Sequence, residues 1–213
     1  MNATTAFASL LAAIAGYVDA FGYRRYGTFL SFMSGNTTIA GFNTAKGKWT
    51  VAVPSYVAIA GFLAGVFAGG LLGRLPRGRI IALTPPLLLA GAALAAVDPA
   101  ARLAVIAVVS FAMGLMNSAV TRIGGQNVNI AFVTGTLAQF GRHLASALRR
   151  EPLHGASSRS DTHLSRALEL FSVWGSFLTG ALLGGFAAGL GGEWMLAPPI
   201  VVLTVVAWRE RPV

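Results

Sequence analysis

We predict an all-α membrane protein, because three features of the sequence indicate helices that are solvated by lipid. Of the 213 residues, 55% are apolar and only 11% are charged, and the mean hydropathy is +0.68. Soluble domains carry roughly 25% charged residues. Apolar runs of spanning length recur along the chain, and most charges fall between them. A soluble globular protein is therefore excluded.

Six apolar runs are each close to the ~20 residues that cross a hydrocarbon core of ~30 Å. They cover residues 5–23, 51–73, 80–97, 102–121, 168–190 and 194–208. The first run has no basic residue before it, so we expect a retained helix rather than a cleavable signal peptide. Two further segments, 27–42 and 125–141, are moderately apolar but are interrupted by Gly, Ser, Thr and Asn. They are broken or re-entrant helices, or two extra spans, which gives six or eight spans.

Counting Lys and Arg predicts the orientation, since cytoplasmic loops carry the excess of these residues. With six spans and a cytoplasmic N-terminus, 11 of the 16 cations lie inside and 5 outside. With eight spans the division becomes 10 to 6. Both schemes place both termini in the cytoplasm, and the count hardly separates them.

The net charge of +9 raises the question of a nucleic-acid partner. However, 14 of the 16 cations are Arg in short connections between apolar runs, so we expect the lipid bilayer and its anionic head groups as partners, and no nucleic acid. The largest polar piece is an Arg- and Ser-rich loop at 142–167, which we predict to be flexible and cytoplasmic within a single membrane domain, 1–213.

Enzyme chemistry is disfavoured. The chain has no cysteine, which removes disulfides and thiolate metal sites. His154 and His163 are nine residues apart and match no compact metal-ligand pattern, and no catalytic triad, phosphate loop or carboxylate pair lies in an apolar run. We expect no catalytic residues, no metal and no cofactor.

The two halves of the chain, about 5–97 and 102–208, resemble each other. Four short matches occur in the same order: Asp19-Ala20 with Asn117-Ser118 at an offset of 98, 32–36 with 132–136 at 100, 62–65 with 177–180 at 115, and 83–86 with 196–199 at 113. The offset rises where the Arg-rich loop lies. We predict an internal two-fold repeat, which is inverted if each half has three spans and parallel if each has four.

Asp19 is the only acidic residue well inside an apolar run. An acid within the membrane costs several kcal/mol on insertion scales, so it is a functional candidate by default. The alternative is a structural role at the outer interface, as an ion pair with Arg24 and Arg25 or as a hydrogen-bond anchor for the broken segment. We leave both open.

The two broken segments carry hydroxyl and amide groups of the kind that line a cavity, because irregular polar backbone persists in a membrane only where protein or water covers it. Tight helix packing is the alternative. The candidates for binding a substrate or an ion are Asp19, Ser34, Asn36, Thr37, Asn117, Asn129, Thr134 and Thr136.

Glycines recur at a spacing of four in the second and fifth apolar runs, which favours close helix packing. The residues concerned are Gly61, Gly65, Gly69, Gly180 and Gly184. We expect their role to be architectural.

The motifs around the candidate residues resemble a known family. The stretches 16–20 (Gly-Tyr-Val-Asp-Ala), 29–38, 114–117 and 133–137 are similar to those of the YoaK family of small bacterial inner-membrane proteins, and the resemblance covers about residues 8–205. Members of that family have about six spans and no known function. The resemblance therefore implies the bacterial cytoplasmic membrane and a topology, without a substrate.

From these features we expect a small-solute permease, with coupling to protons or another ion through Asp19 as an option. The alternative is a non-transporting scaffold or assembly factor that binds lipid or a partner through its Arg-rich loop. A homodimer is compatible with either function.

Overall fold

The computed structural model describes residues 3–119, 133–153, 156, 161–191 and 193–210. The described residues form nine α-helices: α1 (Ala3–Tyr26), α2 (Met33–Ala45), α3 (Trp49–Leu71), α4 (Arg77–Ala82), α5 (Thr84–Val97), α6 (Arg102–Ser118), α7 (Val133–Leu148), α8 (His163–Leu190) and α9 (Ala197–Arg209). Short 3₁₀ turns at Pro99–Ala101 and Glu193–Leu196 precede α6 and α9. The described part of the chain contains no strand, so it is all-helical, as predicted.

Within the described ranges, four helices are long and apolar enough to cross a membrane: Thr4–Tyr26, Trp49–Leu71, Arg77–Val97, which combines α4 and α5, and His163–Leu190. The other two predicted spans, α6 and α9, are apolar but have only 17 and 13 residues. α1 is the most enclosed of the four candidate spans. It therefore lies at the centre of the molecule.

The predicted loop at 142–167 is shorter than we expected, because helices occupy both of its ends. α7 continues to Leu148 with an amphipathic sequence, and α8 begins at His163. A capping box starts α8: the Thr162 hydroxyl accepts the Ser165 amide hydrogen at 3.1 Å, and the Ser165 hydroxyl accepts the Thr162 amide hydrogen at 2.9 Å. These mutual bonds satisfy amides that a helix start otherwise leaves free.

α1 packs closely against α8 through glycines. A methyl group added at Gly180 would overlap the backbone of Ala13, one at Gly184 would overlap that of Tyr17, and one at Gly16 would overlap that of Phe177. Only glycine allows helix backbones to approach this closely. The pairs also show that α1 and α8 run in the same direction.

α3 and α6 form a second pair of the same kind. A methyl group at Gly61 would meet the Ala107 carbonyl oxygen, and one at Gly65 would overlap that of Phe111. One turn further along α3, Gly69 lies against Ser118. α3 and α6 therefore also run parallel to each other, along the glycine stripe that the sequence predicted as a packing face.

The two pairs run in opposite directions. α6 begins where α1 ends, since the Arg102 guanidinium donates to the Tyr26 carbonyl oxygen. At the other end of the molecule, Arg77 pairs with Glu210 at 2.7 Å and lies over the Phe7 ring, 4.6 Å from its centroid. The start of α1, the start of α4 and the end of α9 thus share one end, which we call the Phe7 end. The opposite end is the Tyr26 end.

The short helices α2 and α7 are attached to the sides of α3 and α8. Thr44 near the end of α2 hydrogen-bonds Tyr56 near the start of α3, with 3.1 Å between the hydroxyl oxygens. The Phe140 ring of α7 packs on the Phe171 ring of α8, with centroids 5.4 Å apart. Each short helix runs antiparallel to its neighbour.

Candidate functional site

The carboxylate of Asp19 binds the segment that connects α1 to α2. Its Oδ1 accepts the amide hydrogens of Leu30 at 2.8 Å, Ser31 at 2.6 Å and Phe32 at 3.2 Å, and its Oδ2 accepts the Ser31 hydroxyl at 2.7 Å. The side chain is 3% exposed. The carboxylate charge also lies at the start of α2, where the helix dipole favours an anion. These contacts correspond to the structural alternative that the sequence left open for Asp19, in its hydrogen-bond form.

Two glycines let the chain turn back towards Asp19. Gly27 has a φ of 68°, a left-handed conformation that commonly ends a helix. A methyl group at Gly22 would lie 2.5 Å from Leu30 Cγ and 3.0 Å from the Thr28 carbonyl oxygen. The returning segment therefore fits against the last turns of α1 only because residue 22 has no side chain.

Asn36 holds the same segment from the α2 side. Its Oδ1 accepts the Thr28 hydroxyl at 2.8 Å and the Phe29 amide at 2.9 Å, and its Nδ2 donates to the Phe29 carbonyl oxygen at 2.7 Å. Since the Thr28 hydroxyl donates to Asn36, the Ser55 hydroxyl of α3 donates to Thr28, at 3.1 Å. Asn36 and Ser55 are fully buried. The network links α2, α3 and the connecting segment.

Ser34 and Thr37 lie on the exposed side of α2, away from this network. The Thr37 hydroxyl donates to the Met33 carbonyl oxygen of its own helix at 2.9 Å. A hydroxyl bonded in this way is compatible with lipid as well as with water.

The candidates in the second half lie on α6 and α7. Asn117 is near the end of α6, and its buried Oδ1 accepts no hydrogen bond from the described residues. Thr134 is exposed and Thr136 is buried at the start of α7. Asn129 lies outside the described residues. The structure therefore gathers Asp19 and Asn36 around one segment, and it places Thr134 and Thr136 on a different helix.

Sequence reasoning missed the parts played by Thr28 and Ser55. Ser55 is the one Ser or Thr in the strongly apolar run 51–73, a pattern that usually indicates a bond to the helix's own backbone. Ser31 was part of a recognised polar element, but its bond to Asp19 depends on the turn at Gly27. Pairing across such a turn leaves no periodic signal in the sequence.

Two of the cavities among the described residues border α8. An apolar groove of about 180 Å³ lies between α1, α8 and α9 and includes Tyr17, Gly180 and Pro199. A larger open cavity of about 590 Å³ lies between the end of α7 and the start of α8, with Arg150, Glu151, Asp161 and His163 among its lining residues. A hydrogen bond from Ser146 and the charge of Arg149 hold the pKa of the Glu151 carboxyl below its usual value.

Across the described ranges, no group of three or more His, Asp or Glu side chains is placed to hold a metal ion.

The chain belongs to a family described as proteins of unknown function, DUF1275, whose family model matches residues 7–208. It is also similar to the UPF0700 transmembrane protein RA0705 of Rhizobium meliloti (strain 1021), with 34% identity over 139 residues. That alignment covers 65% of this chain and 60% of the relative, so the chain matches less than two thirds of the curated protein's length. No solved structure matches. The prediction that the chain belongs to an uncharacterised family of membrane proteins is thus confirmed.

Proposed function

We propose that this member of the DUF1275 family is a small-solute permease of the bacterial cytoplasmic membrane, built from two inverted halves, 5–97 and 102–208. Six crossings, formed by α1, α3, α4 with α5, α6, α8 and α9, then leave both termini in the cytoplasm. The observation that carries the proposal is a set of close contacts between a glycine and a helix backbone. Two such contacts, each from a glycine of one half to the backbone of the other half, have a counterpart in which the two halves have changed places. Inverted repeats of this kind are a common plan of secondary transporters.

The contacts match residue by residue under the offsets found in the sequence. Gly16 lies against the Phe177 carbonyl oxygen, and Gly114, at an offset of 98, lies against that of Phe62. The next neighbours also match, since a methyl group at Gly16 would be 3.0 Å from the Ala181 nitrogen, and one at Gly114 would be 3.0 Å from the Val66 nitrogen.

A second contact behaves in the same way. Gly180 lies against the Ala13 carbonyl oxygen, and Gly65, its counterpart at an offset of 115, lies against that of Phe111. Ala13 and Phe111 are themselves 98 residues apart. Chance similarity between apolar helices would match letters, but it would not also match their contact partners.

The helix directions support inversion rather than a parallel duplication. α1 and its counterpart α6 run in opposite directions, and so do α3 and its counterpart α8. The short helices α2 and α7 correspond at an offset of 100, and each is antiparallel to the long helix that follows it. Two half-length polar helices in opposite orientations are a frequent setting for solute and ion sites in transporters.

In this proposal Asp19 and Asn36 position α2, and the solute passes the polar starts of the two short helices. The groups that would contact it are Ser34, Thr37, Asn117, Thr134 and Thr136, with Asn129 completing the predicted set. The resemblance to the YoaK family agrees with this location and topology. Coupling to a proton would require Asp19 to release the backbone amides that donate to it.

Cysteine labelling tests the proposal in this cysteine-free chain. Ser34→Cys and Thr134→Cys, both at exposed positions, are treated with a membrane-impermeant thiol reagent in intact cells and in inverted vesicles. We expect residue 34 to react from outside and residue 134 from the cytoplasm, because inverted halves open towards opposite sides.

Three control positions calibrate the labelling. Lys46→Cys and Arg150→Cys are exposed in polar connections at opposite ends and report each aqueous side, while Leu63→Cys is 65% exposed on the apolar surface of α3 and reports lipid. If residues 34 and 134 behave like residue 63, the permease proposal is wrong.

A scaffold that binds lipid or a partner protein is the second candidate. One observation favours it: Asp19, Asn36 and Thr37 already have hydrogen-bond partners within the chain. A set of satisfied polar groups needs neither water nor solute. Protection of both cysteines from both sides would select this function.

A further inference from the structure

The contact between α7 and α8 contains a pair of histidines. His143 of α7 and His163 at the start of α8 approach through their Nδ1 atoms, which are 2.9 Å apart. The ring centroids are 5.1 Å apart, and the ring planes are inclined by 42°. That centroid distance is close to the Nδ1–Nδ1 distance plus the two distances from centroid to nitrogen. The two nitrogens therefore point almost directly at each other.

Head-on geometry defines the chemistry of the pair. To bind one metal ion, the lone pairs of both nitrogens would have to point at the same site, away from the line that joins the two nitrogens. Here each Nδ1 points at the other Nδ1 instead. The arrangement is that of an N–H···N hydrogen bond, in which one imidazole donates and the other accepts. It exists when at least one of the two rings is neutral, since a doubly charged pair offers two donors and no acceptor.

The charged groups around the pair increase the cost of a second proton. Arg142 of α7 and Arg166 of α8 carry positive charge beside it, and Asp161 is engaged by Arg166 in two hydrogen bonds of 2.8 and 2.9 Å. The remaining charged side chains of the described residues nearby are Arg149 and Glu151, which pair with each other at 2.8 Å, Arg150 and Glu169. The two cations beside the pair, Arg142 and Arg166, are thus opposed by the carboxylate of Asp161, which is already bound by Arg166.

We propose that the His143–His163 pair is a proton-sensitive latch, which holds α7 against α8 through one N–H···N hydrogen bond and opens when a further proton leaves the pair without an acceptor. His163 also lines the open cavity of about 590 Å³, so protons from the adjoining water reach the pair. The latch is independent of the permease proposal, because it concerns the contact of two helices and not the passage of a solute.

The direction of the pH dependence follows from His143, which lies outside the candidate membrane spans. Burial lowers the pKa of His143 below its ordinary value of 6.5, and the charges of His163, Arg166 and Arg142 lower it further, while Asp161 opposes them. The closed contact therefore binds a proton less readily than the open one. It is fully stable above the ordinary pKa and is lost as the pH falls below it.

Spin labels on the two helices measure the latch directly. Cysteines at Ala145 of α7 and Leu168 of α8, both exposed, are labelled in the full chain in lipid nanodiscs, and the distance between labels is recorded from about pH 8 to about pH 5. We expect a single short distance at the upper pH and a shift to longer, broader distances below the ordinary histidine pKa.

Two variants separate the latch from a general effect of acid. Gln in place of one imidazole can still hydrogen-bond but does not titrate, so His143→Gln and, independently, His163→Gln should both lose the pH response. If the unmodified pair gives the same distance at all pH values, or if both Gln variants keep the shift, the latch does not exist. Imidazole ¹⁵N spectra of the chain without label cysteines provide a further reading, since a shared N–H···N proton must disappear over the same pH range.

Discussion

Ser31 donates its hydroxyl hydrogen to the Asp19 carboxylate over 2.7 Å, across twelve residues of sequence. The bond is one of four that fix the segment preceding α2. Asp19 therefore has a structural role, and its replacement should lower the stability of the protein.

Asp19→Ala should destabilise the protein severely. It removes the acceptor of three amide hydrogens, and each buried donor left unsatisfied costs ~1–3 kcal/mol. Asp19→Asn should be much milder, because the amide oxygen still accepts and the amide nitrogen can donate to the Ser31 hydroxyl. Thermal unfolding in detergent compares the two with Ser31→Ala, which removes a single bond. Equal stability of all three variants would contradict the anchoring role; a stable Asp19→Asn variant that transports without proton coupling would show a titrating role as well.

Gly16→Ala should separate α1 from α8, because the new methyl group meets the Phe177 backbone, which cannot move as a side chain can. Overpacking of this kind typically costs ~1–3 kcal/mol. The matched control is Gly185→Ala, since no atom lies within 4 Å of a methyl group there. That change should be neutral or stabilising by up to ~1 kcal/mol, from helix propensity alone. The free energy of unfolding should therefore fall in Gly16→Ala and stay equal or rise in Gly185→Ala.

Asn36→Ala should lower stability by ~1–3 kcal/mol or more, because it leaves the Phe29 amide and carbonyl groups without their partner. Thr37→Ala, one residue further along α2, removes only a hydroxyl that bonds its own helix, and should stay within ~0.5 kcal/mol. Unfolding by SDS in mixed micelles measures both. A larger effect at residue 37 than at residue 36 would be inconsistent with the network.

A disulfide should join α1 and α8 when Ser9 and Ser172 are both replaced by cysteine. Their hydroxyl oxygens are 3.4 Å apart, which is compatible with the short Cβ separation of ~3.5–4.5 Å that a disulfide needs. Oxidation should give a faster-migrating species on a non-reducing gel, and either single variant should give none. Ser9→Cys combined with Gly184→Cys is the register control, since Gly184 lies against Tyr17 instead; cross-linking of that pair alone would mean that the helices are not parallel in this register.

The helices were predictable from the sequence because long apolar runs have few alternatives in a membrane. The glycine spacing also predicted close packing, but Gly65 and Gly180 lie in similar stripes and neither stripe identifies its partner helix. Asn36 was predicted as a candidate for lining a cavity, with helix packing as the alternative. However, an amide that lines a cavity and one that binds a neighbouring turn have the same sequence pattern, and only the position of Phe29 separates them.

The pairing of α1 with α8 also affects how the protein is made. α3 meets α6 within about fifty residues of synthesis, whereas Gly16 meets Phe177 only after most of the chain has been translated. Until then the glycine face of α1 lacks the helix that it packs against. α1 therefore finds its native neighbour later than α3 does, and a ribosome that stalls before residue 177 leaves a chain in which α3 and α6 can pair and α1 has no α8 to pack against.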